Sequence, residues 1–269
     1  RDLVRSRGLG DVYKRQLVLS NAATLYTETG DIDTAQAFFE EAITIARNSN
    51  NRQAESLRLG NLGWFYTLTG RPQAAIQQLE QALAISRDLD DTLMIAVQSN
   101  NLGRTYYQLR DYEAARALHK QAIAAALALE TPDWEGVFRA DMALTLAALN
   151  RPEDAEEQFR LAIERSTAAQ DFDTLVRAQA RLASLLAQTG RADEAVPLAK
   201  AARQRARQMH FQRGMADAER AFGDIAKARG DEQAAGKHYA EAHRRYTILH
   251  DPSARELEAL LPQAESQDA

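Results

Sequence analysis

The 269-residue sequence predicts an all-α solenoid of about six helix-turn-helix units. Three observations predict it. Aligned on itself at a spacing of 40, the chain superposes Ala35, Ala75, Ala115, Ala155, Ala195 and Ala235, and again Ala42, Ala82, Ala122, Ala162, Ala202 and Ala242, without an exception. Self-similarity at a fixed period of this size marks a repeat architecture. Alanine is abundant while glycine and proline number only 13 and 6, which favours helix throughout. A third column, Gly30, Gly70, Arg110, Asn150, Gly190 and Gly230, is followed each time by Asp or Arg and sets a turn at the same place in every unit.

Residues 1–16 stand outside the pattern. Asp11 to Gln16 resembles the in-frame translation of a transposon mosaic-end adapter used in shotgun sequencing libraries, and Arg1 to Gly10 has no helical period. The segment is therefore set aside. Its removal takes away five basic and two acidic residues, so the net charge of the remainder moves from −5 to −8. The solenoid then spans 17–250, in units of about 17–50, 51–90, 91–130, 131–170, 171–210 and 211–250. Leu17 and Leu19 open a first helix against the adapter-like segment, an uncovered repeat face that leads us to expect further units upstream.

Unit two shows how each unit is built. Leu59, Leu62, Gly63 and Tyr66 fall at i, i+3, i+4 and i+7, one stripe of a helix. Gly70 ends that helix, and Pro72 opens the next without losing a useful N–H. Ala75, Leu79, Ala82 and Leu83 form the facing stripe. Small residues at Ala23, Gly63, Gly103, Ala143, Ala183 and Gly223 let the two helices of each unit approach closely. Polar segments at 88–91, 130–133 and 169–173 link the units. Thr131 before Pro132 and Asp251 before Pro252 read as N-caps, as do Asp31/Asp33 and Asp171/Asp173, which lack the glycine and distal glutamate of a calcium loop. Pro197 lies inside the second helix of unit five and predicts a kink or a late start. Residues 251–262 read as a C-terminal capping helix, with Ser253 and Glu256 spaced as a capping box, and 263–269 as a disordered polar tail.

Several activities are excluded or disfavoured. Without cysteine no disulfide, thiolate zinc site or cysteine nucleophile is possible. The acidic balance argues against nucleic acid or an anionic membrane surface as a direct partner, and no apolar run reaches the roughly 20 residues of a membrane span. His238 and His243 do not share a helix face, and His119, His210 and His250 read as solitary. Lys200, Arg203 and Arg207, with Arg205 and Arg213 nearby, read as a solvated convex face. There is no phosphate loop, nucleophile elbow or zinc-helix motif. Neither a catalytic residue nor a metal or cofactor site is expected.

The run Leu59, Leu62-Gly63, Tyr66, Ala75, Leu79, Ala82 resembles the tetratricopeptide repeat, with 40 residues in place of the usual ~34. Together with Asn61-Leu62-Gly63 and Asn101-Leu102-Gly103, that length is similar to the longer-helix variant of kinesin light chains, spindle-orientation adaptors and bacterial regulators. The resemblance covers 17 to about 250 and is weaker in units four to six, where the first large column becomes Arg139, Gln179 and Glu219. It implies a right-handed superhelix with a concave groove lined by the first helices. On that face it places Leu57, Gly60, Asn61, Trp64, Thr67 and Leu68 of unit two, and Val97, Asn100, Asn101, Arg104, Tyr107 and Gln108 of unit three. Asn21, Asn61 and Asn101 then form a ladder whose amides suit an extended peptide backbone or a neighbouring helix. Trp64 and Tyr107 offer apolar anchors, and Arg104 suits a carboxylate or phosphate. Further along, Val137, Ala140, Asp141, Leu144 and Ala147 make an apolar stretch followed by Arg177, Arg181, Asp217, Arg220, Asp224 and Lys227.

Two functions follow. One is a non-catalytic, cytoplasmic scaffold that binds a protein segment or peptide in the groove. The alternative is the ligand-sensing C-terminal region of a larger bacterial signal-transduction or transcription regulator, binding a peptide or small molecule.

Overall fold

The computed structural model describes residues 31–249 and 251–261. The adapter-like segment, the first helix of unit one with Asn21, and the polar tail lie outside the described residues. All regular structure among the described residues is α-helical: α1 (Ile32–Asn48), α2 (Arg52–Leu68), α3 (Pro72–Asp88), α4 (Thr92–Gln108), α5 (Tyr112–Ala128), α6 (Pro132–Ala148), α7 (Pro152–Ala169), α8 (Phe172–Gln188), α9 (Ala192–Gln208), α10 (Gln212–Ala228), α11 (Glu232–Ile248) and α12 (Ser253–Glu258).

Helix length is fixed by where the chain can turn left-handed. Gly70, Arg110, Asn150, Gly190 and Gly230 have positive φ, and so do Asn50, Asp90, Glu130, Gln170 and His210 in the links between units. The break therefore recurs every 20 residues. Each such residue closes the preceding helix: the Gly70 N–H donates to the Thr67 carbonyl at 3.3 Å and the Arg71 N–H to the Tyr66 carbonyl at 2.8 Å, which satisfies the last carbonyls of α2. The next helix starts at once. Asp31, Asn51, Asp91, Asp111, Asp171 and Asp231 each accept from the backbone N–H three residues on, while Arg71, Thr131 and Arg151 precede a helix-opening proline. The Thr131 side chain makes no capping bond.

Two local expectations are corrected. Pro197 does not delay α9, which begins at Ala192 and keeps 17 residues with the proline in its second turn. At the C-terminal end, α12 begins at Ser253, with Asp251 Oδ1 accepting from the Ser253 N–H at 2.9 Å. Glu256 reaches Arg220 instead of closing a capping box.

The chain divides into two compact units, residues 1–130 and 131–269. In the first, α2 packs on α3 and α4 on α5, and α2 also touches α4. Its core joins Phe39, Leu59, Phe65, Leu79 and Leu83, with the Phe39 and Phe65 rings 5.3 Å apart. A Cβ on Gly63 would lie 2.5 Å from Leu79, so the small column is a tight contact between α2 and α3. The second unit pairs α6 with α7, α8 with α9 and α10 with α11. Here α8 and α10 pack extensively on each other through Ala180, Ala218 and their neighbours. Across both units, the two alanine columns from Ala35 to Ala242 are at most 2% exposed.

Candidate binding face

In the first unit, α2 carries Asn61 and Trp64, and α4 carries Asn101, Arg104 and Tyr107, all half-buried. Contact between these two first helices brings positions 40 apart side by side. The Arg104 guanidinium lies over the Trp64 ring, 5.0 Å from its centroid, an arrangement favoured by the negative face of the indole. Tyr107 turns to Tyr112 at the start of α5, ring centroids 5.4 Å apart. Asn61 and Asn101 make no side-chain hydrogen bond among the described residues. Their amides are thus able to donate and accept outward.

Three residues expected on this open face are buried instead. Gly60 seats Gln98, Thr67 Oγ1 meets Thr105 Oγ1 at 2.8 Å, and Asn100 Oδ1 meets His119 Nδ1 at 2.9 Å. His119, expected to be solitary, is 1% exposed and lies against Gly103. It occupies the column of Phe39, Leu79 and Phe159, and a polar residue in an apolar column was the available signal. The threonines are 38 apart, so a comparison at 40 does not join them.

In the second unit Val137, Ala140, Leu144 and Ala147 are half-buried along α6, and Asp141 is buried. Further on, the charges close on each other. Asp217, 2% exposed, receives Arg181 Nη2 at 3.1 Å and the Tyr246 hydroxyl at 2.6 Å, with Arg177 Nε at 3.9 Å. Burial pushes its carboxyl up, but Arg181, Arg177 and Arg213 together with the Tyr246 hydrogen bond outweigh this and hold it below the usual carboxylate value. Burial and the adjacent Asp217 charge raise Tyr246 well above an ordinary phenol. Two turns further along α10, Asp224 accepts from the Tyr239 hydroxyl at 2.8 Å.

Three of the neighbouring basic residues, two on α9 and Arg213 on α10, are engaged. Arg203 covers the Phe222 ring at 4.1 Å and lies 3.8 Å from Glu219, Arg205 covers Phe172 at 4.8 Å, and Arg213 reaches Asp251 at 3.1 Å. The reading of a solvated face is thus corrected for Arg203 and Arg205, while Lys200 and Arg207 are exposed. Among the described residues there is no group of three or more His, Asp or Glu able to hold a metal, and no helix long and apolar enough to cross a membrane.

The family model described as tetratricopeptide repeat matches residues 7–88 and 93–168. A search of curated proteins finds no match. Among solved structures, the chain is similar to a Rap protein complexed with competence and sporulation factor, at 14% identity and a TM-score of 0.71, covering 92% of this chain and 74% of that one. It is similar to BtubC (BKLC) from P. vanneervenii, at 18% identity and a TM-score of 0.65, covering 81% and 90%. It is also similar to a signal transduction ATPase with numerous domains from Pyrococcus horikoshii that carries a tetratricopeptide repeat sensor, at 17% identity and a TM-score of 0.66, covering 93% of this chain but 39% of that one.

Proposed function

The chain belongs to the tetratricopeptide repeat family, and from there we propose that it is a non-catalytic, cytoplasmic scaffold that holds an extended protein segment along α2 and α4. One observation carries this: Asn61 and Asn101, side by side on contacting first helices, keep amides that no described residue engages. An amide can pair with the N–H and C=O of a peptide whatever its side chains. Trp64 supplies ring surface beside them, the residue type that dominates binding energy at interfaces. Asn21 would extend the ladder, and Tyr107 its apolar edge.

The test uses peptides selected from a displayed random library on the unaltered chain. Replacing Asn61, Trp64 and Arg104 together by alanine should weaken their binding by about tenfold or more, equivalent to ~1.4 kcal/mol, with the far-UV circular dichroism unchanged. Equal affinity with the fold intact removes the proposal.

The second reading, a sensing region of a larger regulator, is supported by the likeness to the Pyrococcus horikoshii protein with its repeat sensor. On this reading the ligand is a peptide or small molecule. Reading the coding sequence upstream of residue 17 separates the two: a phosphate-binding loop or helix-turn-helix there favours the regulator.

A further inference from the structure

The last helix pair of the second unit, α10 and α11, is covered on one side by α12. The first helices α2, α4, α6, α8 and α10 have 17 residues each, whereas α12 has six. Its hold is narrow. Leu257 is fully buried in a cluster with Ala216, Ala242 and Tyr246, and Ala254 packs at the edge of that cluster. Asp251 meets Arg213 at 3.1 Å and Glu256 meets Arg220 at 2.6 Å. Only Ser253 and Leu257 of α12 are buried, against ten residues of α10.

A short link makes α12 run back along α11 from its C-terminal end. The helix stops at Glu258, and residues 259–261 continue without helical structure towards the Glu232 end of α11. Beyond that point lies a cavity of about 320 Å³, lined by Lys227, Glu232, Ala235, Tyr239, Leu260 and Leu261. Leu260 and Leu261 pack on the edge of the same cluster and leave this cavity open beside Tyr239 and Ala235.

We infer that this surface is a docking site for an acidic amphipathic helix, and that α12 is a short internal occupant which such a helix displaces. The chemistry of the partner is read from the occupant. An apolar anchor takes the place of Leu257, and carboxylates meet Arg213 and Arg220, which lie seven residues and hence two turns apart on α10. Continuing apolar positions fill the cavity beside Tyr239 and Ala235. This is the mode in which an amphipathic helix lays its apolar stripe into a groove. Displacement is easy because each ion pair has an exposed or half-exposed member and is screened by salt, and because elements with few buried contacts open locally. The inference is independent of the face on α2 and α4.

The probe is the acetylated peptide with the sequence of residues 251–261, added to the full chain. Leu257→Ser in the chain should loosen α12 and raise the affinity for the peptide at least tenfold over the unaltered chain. Adding Arg220→Glu to the loosened chain should abolish binding, and Glu256→Lys in the peptide should restore it. In the unaltered chain, the amides of residues 255–258 should exchange at least a hundredfold faster than those of 239–246. Equal peptide affinity for the loosened and unaltered chains, indifference to the charge exchange, or α12 amides as slow as those of α11 would each overturn the inference.

Discussion

The contact between α2 and α4 and that between α8 and α10 join equivalent first helices of successive pairs, and they end in opposite states. On α2 and α4 the outer positions hold Asn61 and Asn101, whose amides stay unengaged, and Trp64 with Arg104 above it. On α8 and α10 two of the matching positions hold Arg181 and Asp224, which with Arg177 and Asp217 one turn earlier are consumed by one another and by two tyrosines of α11. The cause is the packing beneath. Gln98 wedged on Gly60 and the Thr67–Thr105 bond keep polar bulk between α2 and α4. Alanines let α8 and α10 settle deeper, and depth makes an unpaired charge costly, so only a paired arrangement persists there. One repeat thus leaves amides unengaged in one place and closes a charge network in another.

That contrast is broken most strongly at Asp217. Asp217→Ala should destabilise the second unit by about 3 kcal/mol, because it strands Arg181 and the Tyr246 hydroxyl, whereas Asn101→Ala should change the first by less than about 0.5 kcal/mol. Trp64 and Trp134 report the units separately: urea unfolding of the Trp64→Phe and Trp134→Phe backgrounds should show the loss only where Trp134 remains. Equal effects in both units would mean that the buried network is worth no more than a half-buried amide.

Acid should separate the units in the same sense. A carboxyl held below its unfolded value contributes stability that is fully present above an ordinary Asp value of about 3.9 and is lost as pH falls through the depressed native value. Fluorescence of Trp134 should therefore reveal an acid transition below about pH 4 that Asp217→Asn blunts. An acid transition unaltered by that substitution would assign the effect elsewhere.

Smaller effects test the packing that both units share. Ala115→Leu should overpack the α4–α5 pair by about 1–3 kcal/mol, read as a lowered thermal midpoint; a neutral result would mean the column is not a close contact. Gly70→Ala, at φ +72° with open space around it, should cost about 1 kcal/mol through the backbone alone, while Asn150→Ala, also at positive φ, should cost less because Asn already bears part of that strain.

Much of this molecule was legible in the residue order. The alanine columns locate every pair interface, because a position that admits only a methyl group under a neighbouring helix must recur wherever the pair recurs. The glycine turns were legible for the same reason. The breaks at Asn50, Asp90, Glu130, Gln170 and His210 were not, since residues of no single type adopt the left-handed conformation when the backbone bonds on either side enforce it. His119 looked solitary because Asn100, its partner, lies 19 residues away on another helix.

The sequence by itself determined an all-α array, the length of its repeat and which small residues sit at its interfaces, because these depend on spacing along one chain. It also nominated Asn61, Trp64, Asn101, Arg104 and Tyr107, but could not say which nominees stay open. Only the tertiary structure decided that Arg104 lies over Trp64, that Asn100 and Thr67 turn inward, and that Asp217 vanishes beneath Arg181. Those outcomes depend on how closely two first helices approach, and that distance is set by side chains of neighbouring units acting together.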